Sequence, residues 1–386
     1  MCRCSSCQLK KIMCPIIILT LVWLVQGKLG SEFHITVALD GSGDFNTISH
    51  AVNAAPNYSK ERYYIRIKAG TYVENVVVGK KKTNISFIGD GMGMTIITGN
   101  KSVGKDLVTF ETATLDINGD GFMAKHITFR NDAGPTNGQA VAMKCSATFS
   151  SFFQCRFEGY QDTLYVHRGI QFYKECEILG TTDIIFVDAK VVFQNCGIYV
   201  RNPEEGHLNV ITAQGRERPE DDGGISIHPR TIAAAKGFNP NPGTKTYLGR
   251  PWRPFSTVVI MQSFLDYIID PEGWLKWDNN TSTLSSLYYG EYQNYGPGAN
   301  TANRITWKGY HKAMSLAEAE NFAVRNFIKD QAWLGPTSIP YAIDLAWLPP
   351  TNIPYTPNRS NVHKTMSPNI PIWYSFIVIY IFNIHM

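Results

Sequence analysis

Two pairs of like polar residues recur in the middle of this sequence at nearly one interval: Gln139 and Gln161 lie 22 residues apart, Asp162 and Asp183 lie 21 apart. If that interval is one turn of a repeating chain, each pair becomes a pair of spatial neighbours. Two carboxyls that close cannot both ionise easily. One aspartate then keeps its proton and the other stays anionic, which yields an acid and a nucleophile or base from identical side chains. Paired amides can donate hydrogen bonds to a developing oxyanion. The same spacing also suits polar ladders that only stabilise successive rungs, and spacing alone leaves both readings open. Further along, Tyr247-Leu-Gly-Arg-Pro-Trp252 sets a guanidinium and an indole two residues apart in a turn bounded by glycine and proline. Arg250 can fix a carboxylate and keep it ionised. Trp252 offers a flat apolar face that can stack on a sugar ring or simply pack.

The elements that must position these side chains are short. Strand-like runs at Tyr63 to Lys68, Asn75 to Val78, Ile85 to Ile88, Thr95 to Thr98, His126 to Arg130 and Val191 to Gln194 are punctuated by glycine. Three segments align, Phe152-Phe-Gln-Cys-Arg-Phe-Glu-Gly159, Phe172-Tyr-Lys-Glu-Cys-Glu-Ile-Leu-Gly180 and Val192-Phe-Gln-Asn-Cys-Gly-Ile-Tyr-Val200, so that Cys155, Cys176 and Cys196 recur at 21 and 20 residues. That is a solenoid period. The units are too short for two amphipathic helices each, so coils of a parallel β-helix are expected, with residues one period apart stacked about 4.8 Å from each other. One helix is expected over Ser315 to Phe327, opened by a capping box of Ser315 and Glu318 and packing on the solenoid or covering its end.

The chain has 386 residues, 44% hydrophobic and 12% aromatic, which excludes a disordered protein and a disulfide-stapled miniprotein. Its formal charge of +4 is matched by Arg3, Lys10, Lys11 and Lys28 in an acid-free first thirty residues, so the remainder is near neutral and no nucleic-acid partner is implied. Residues 1–30 read as a secretory signal peptide, with a basic start and an apolar run from Ile12 to Val25 too short to span a bilayer comfortably. Export would leave Cys145, Cys155, Cys176 and Cys196 in an oxidising compartment, where disulfides form. Their spacing contains no C-x-x-C pair, and no metal site is expected. Sequons at Asn57, Asn84, Asn100, Asn279, Asn280 and Asn358 fit secretion. Residues 346–386 read as an irregular tail outside the fold.

The strings Gly159-Tyr-Gln-Asp-Thr-Leu-Tyr165, Gly180-Thr-Thr-Asp-Ile-Ile-Phe186 and Leu248-Gly-Arg-Pro-Trp252 together resemble the plant pectin methylesterase (pectinesterase) family. Gly41-Ser-Gly-Asp-Phe45, Gly70-Thr-Tyr-Val-Glu74, Gly138-Gln-Ala-Val-Ala142 and Ile211-Thr-Ala-Gln-Gly-Arg216 extend the resemblance over roughly residues 34–335. It implies an all-β fold, a right-handed parallel β-helix over residues 31–345 whose cleft binds homogalacturonan and hydrolyses its methyl esters. By motif position, Asp183 resembles the nucleophile and Asp162 the acid that protonates methanol and then activates water. Gln139 and Gln161 resemble the oxyanion donors, Arg250 the residue orienting Asp183, and Trp252 an aromatic that contacts a galacturonate ring. No cofactor is implied, and the absence of G-x-S-x-G agrees with a carboxylate nucleophile. Cys176 and Cys196 resemble the family's disulfide positions, a closure worth about 3 kcal/mol in the chain-entropy model. Cys145 and Cys155 are left open between a second bond and free thiols.

The resemblance further implies a secreted, monomeric cell-wall enzyme of the form without the helical inhibitor-like segment, with any proteinaceous inhibitor acting from outside. Three departures stand out. Val187-Asp188 follows Phe186 where the family usually has Gly-Asn, His228-Pro-Arg230 replaces a strand end with cysteine, and Asp132 replaces a hydroxyl residue. A β-branched side chain and an added charge near Asp183 make a catalytically impaired pectin-binding protein the alternative reading. A chain-cleaving hydrolase or lyase is the other rival. It would need an acid cluster, and the one adjacent Asp-Asp, Asp221-Asp222, lies in a Gly-rich loop away from the repeat.

Overall fold

A computed structural model describes residues 33–345 except Pro229, Asn279 and Asn280. The expected leader and tail lie outside the described residues. Three sheets of eleven, seven and eight strands, all paired in parallel, wind into a right-handed parallel β-helix. Through the middle of the coil each turn contributes one strand to each sheet, while the end turns add strands to the eleven-stranded sheet alone. The turn that starts at Ile170–Lys174, for instance, continues through Glu177–Gly180 and Ile185–Val187 before Lys190–Gln194 begins the next.

The corner between the eleven- and eight-stranded sheets is made by one residue in the left-handed region. His126, Gln154, Glu175, Asn195, Gln262 and Gln293 occupy it, with φ between 50° and 61°. Such a conformation costs a non-glycine residue roughly 1 kcal/mol, and the coil repeats it at successive turns. This corner explains why the expected strand from His126 starts only at Thr128: His126 is the bend itself. The residue after each corner points inward, which buries Cys155, Cys176 and Cys196 in register.

Inward-facing residues fill the coil as columns. Phe152, Tyr173 and Phe193 stack with centroids 4.6 and 4.7 Å apart, and Phe129 lies over Phe157 at 5.6 Å. A short helix, Ile48–Ala54, which the sequence reading missed, buries Ile48, Ala51 and Val52 against the first turns. At the other end the expected single helix is two, Leu316–Glu320 and Val324–Ile328. The capping box of Ser315 and Glu318 is present, but Ala323 is extended, and Asn326 donates to the Glu320 carbonyl across the break. The break lets Phe322, Val324, Phe327 and Ile328 pack together on Val192 and Val259, covering the outer face of the eleven-stranded sheet.

The expected Cys176–Cys196 disulfide is absent: the four described cysteines are all buried free thiols. Each instead points its sulfur at backbone carbonyls, Cys176 at Phe152 and Lys174 and Cys196 at Tyr173 and Gln194, at 3.4 to 3.6 Å. Burial pushes the Cys176 thiol well above its ordinary range and Cys145 up to about 12, which keeps both protonated and unreactive.

Candidate active site

The seven-stranded sheet carries the site on its outer face. Parallel pairing places Lys144, Tyr165, Phe186, Ala213 and Arg250 in one row across consecutive turns. Just before that sheet, two successive turns carry the acid column. Asp162 and Asp183 fall in the same register, with φ of 60° and 49°, so both take the left-handed bend that aspartate tolerates better than most residues.

The interval of 22 between the glutamines, one more than between the aspartates, comes from a bulge. The N–H groups of Ala142 and Met143 both aim at the Thr163 carbonyl, at 2.9 and 3.4 Å, while Ala140 N–H bonds the Gln161 carbonyl. The extra residue is absorbed there, and Gln139 comes into line with Gln161.

Gln139, Gln161, Asp162, Asp183, Arg250 and Trp252 all line one cleft of about 450 Å³. Asp162 and Asp183 are only 8% and 5% exposed. Arg250 grips Asp183 with two bonds, Nε to Oδ1 at 2.9 Å and Nη2 to Oδ2 at 2.6 Å. Its other face lies over the Trp277 ring at 4.2 Å. Ala213, the small residue between Phe186 and Arg250 in the row, leaves the guanidinium a path back to the acid.

Burial pushes both carboxyls above their ordinary range. At Asp162 the neighbouring Asp183 charge adds to the effect and the carboxyl is held well above it. At Asp183 the Arg250 bonds oppose it. The surroundings thus favour the shared proton on Asp162 and the charge on Asp183, which faces the guanidinium.

Several cleft residues were not singled out from the sequence. Tyr165 and Phe186 stack at 4.0 Å and form the floor beside the acids. Their signal was present, since each follows its aspartate by three residues. Trp277 and the rim residues Val108 and Phe110 come from loops outside the repeat, and spacing could not find them. Of the departures, Val187 points into the core with no exposure, so it does not narrow the cleft. Asp132 bonds Thr98 at 2.6 Å away from the cleft lining. His228 is buried, bonding Ser226 at 2.9 Å and the Phe322 carbonyl at 3.2 Å.

A profile of the family described as pectinesterase matches residues 34–331. The chain belongs to the pectinesterase family. It is 50% identical over 319 residues to the putative pectinesterase/pectinesterase inhibitor 38 of Arabidopsis thaliana, covering 82% of this chain and 67% of that protein. It is 50% identical over 313 residues to pectinesterase 2 of Citrus sinensis, covering 81% and 61%. Among solved structures, the pectin methylesterase from carrot superposes with a TM-score of 0.79 at 47% identity, covering 82% of this chain and 99% of that one. The Aspergillus niger pectin methylesterase gives 0.67 at 30%, covering 79% and 96%. The chain thus spans about half to two thirds of the length of the curated pectinesterases it matches, and nearly all of the solved pectin methylesterase chains.

Proposed function

We propose that this pectinesterase-family chain removes methyl esters from homogalacturonan, releasing methanol through an aspartate nucleophile. The observation that carries the reading is the Arg250 fork on Asp183 beside the buried Asp162, whose carboxyl is held well above its ordinary range, in an aromatic-walled cleft. An Asp183 oxygen attacks the ester carbonyl carbon, and the resulting oxyanion takes hydrogen bonds from the Gln139 and Gln161 amides. Collapse expels the methoxy group, which leaves as methanol with the Asp162 proton. The remaining mixed anhydride is opened by water, which gives one proton back to Asp162 and its hydroxyl to the galacturonate carbonyl, so that Asp183 is freed as carboxylate and the new galacturonic acid group loses its proton to solvent. Trp252, with Tyr165, Phe186 and Trp277, supplies flat faces for sugar rings on either side of the scissile ester.

Secretion to the cell wall follows from the leader-like first thirty residues and from the polymer substrate. A helical protein inhibitor docking over the cleft is the expected partner, and the protein acts as a monomer. The impaired-enzyme alternative loses its main support with Val187 in the core. The test is methanol release from highly methylated pectin by the secreted protein beside Asp183→Asn and Asp162→Asn. Release by the parent, with a fall of about a thousandfold or more in Asp183→Asn and about a hundredfold or more in Asp162→Asn, is the expected result. A parent that binds pectin and releases no methanol overturns the reading.

A further inference from the structure

A second outward row runs beside the first. Backbone pairing sets Ser146, His167, Asp188, Gly215 and Trp252 on consecutive turns, each N–H bonding the carbonyl one turn back. Gly215 is the gap in that row, and Asp188 and Trp252 fill it from either side. A Cβ built on Gly215 would fall 2.2 Å from the Asp188 Oδ1 and 2.6 Å from the Trp252 ring. The half-buried Asp188 carboxyl and the indole that offers its face to a sugar therefore converge on the same gap. Its Oδ2 is 3.5 Å from the Tyr165 hydroxyl, at the edge of the cleft floor.

Five titratable groups face it, one of them His167, its register neighbour one turn back, which burial pushes down to about 4 and so keeps neutral over the mildly acidic range. Tyr165 comes from the preceding turn, Arg168 from the loop after it, Arg253 from the turn after Trp252, and Glu217 from the loop after Gly215. Arg253 also lies over the Trp252 ring at 5.0 Å and pairs with Glu217. When Asp188 is ionised, two arginines are balanced by two acids. When it is protonated, the arginines are in excess beside the ring platform.

Resting on the esterase reading, we infer that Asp188 is a specificity-determining residue, which makes the Trp252 subsite discriminate between a methyl-esterified ring and a ring that carries a free carboxylate. An ionised Asp188 repels a galacturonate carboxylate seated on Trp252 and screens Arg253 and Arg168 from it. A neutral methyl ester in the same place feels neither effect. The product of the reaction is thus disfavoured where the substrate is not. Burial pushes Asp188 up to about 6 against the pull of Arg253, so the discrimination switches on as pH rises through the mildly acidic range.

The test compares the parent with Asp188→Asn, using affinity electrophoresis on polygalacturonate and on highly methylated pectin at pH 5 and pH 7.5. Parent affinity for polygalacturonate is expected to fall roughly fivefold more than that of Asp188→Asn over this range. Affinity for methylated pectin is expected to match in the two proteins, which also shows that the variant is folded. Polygalacturonate profiles that coincide in the two proteins overturn the role of Asp188. Methanol release by the parent, measured in parallel, reports on the esterase reading separately, because its absence leaves the charge discrimination on Trp252 intact or not by its own measurement.

Discussion

Asp162 and Asp183 are the same chemical group in the same bend, and burial raises both, yet Arg250 forks onto only one of them. Replacing Arg250 by lysine keeps the charge and loses the second bond. Activity is expected to drop about a hundredfold in kcat, and the acid limb of the pH-rate profile to move upward, because Asp183 loses much of what opposes its burial. An unmoved acid limb would sink the assigned role. Stability gives an independent reading. A carboxyl whose folded pKa lies above its unfolded value makes the native state bind more protons, so it costs stability increasingly as pH rises above the unfolded value. Asp162→Asn removes that cost, and calorimetry is expected to show its melting temperature raised by about 2–4 °C at pH 7.5 and by less at pH 5. A variant melting below the parent at both pH values would contradict the sign. At this scale the sequence was informative for a physical reason. Residues that face each other across one turn must recur at the turn length, so Asp162 with Asp183 and Gln139 with Gln161 were visible as spacings. Arg250 reaches Asp183 across two turns past Ala213, a contact that no interval encodes.

The turns themselves were legible where they repeat and obscure where they do not. Cys155, Cys176 and Cys196 marked the period because each follows a left-handed corner and faces the core. The helix at Ile48–Ala54 and the break at Ala323 belong to the ends of the coil, where the chain answers to what it covers rather than to a register. The corner makes its own prediction. Asn195 is exposed at φ 55°, so Asn195→Gly is expected to change stability by no more than a few tenths of a kcal/mol, while Asn195→Val costs about 1–2 kcal/mol. Denaturant unfolding distinguishes the two, and equal losses would mean the corner bears no strain.

For the whole molecule, the thiols and the C-terminal segment are the places to probe. With the leader removed, native protein is expected to react with no thiol reagent at Cys145, Cys155, Cys176 or Cys196, and to yield four thiols after denaturation. Two thiols would restore the Cys176–Cys196 bond that resemblance suggested. Phe327 packs with Phe322 on the eleven-stranded sheet and lies beneath the Lys190 ammonium at 5.0 Å. Phe327→Ala is expected to cost about 3 kcal/mol, read from the denaturation midpoint, and to leave methanol release per folded molecule unchanged, since the cleft is on another sheet.

The stacked aspartates carry one more consequence. A solenoid copies a position by translation, so Asp183 is Asp162 moved along the axis by one turn, and translation alone would make them indistinguishable. Two such acids share one proton, and translation alone does not say which of them holds it. What separates them is where the column stops: the next residue along it is the apolar Val210, and Arg250 reaches in from that side to touch the nearer copy alone. The division of roles proposed for the two acids is therefore set by a broken symmetry at the end of the column, not by the repeat that builds the coil.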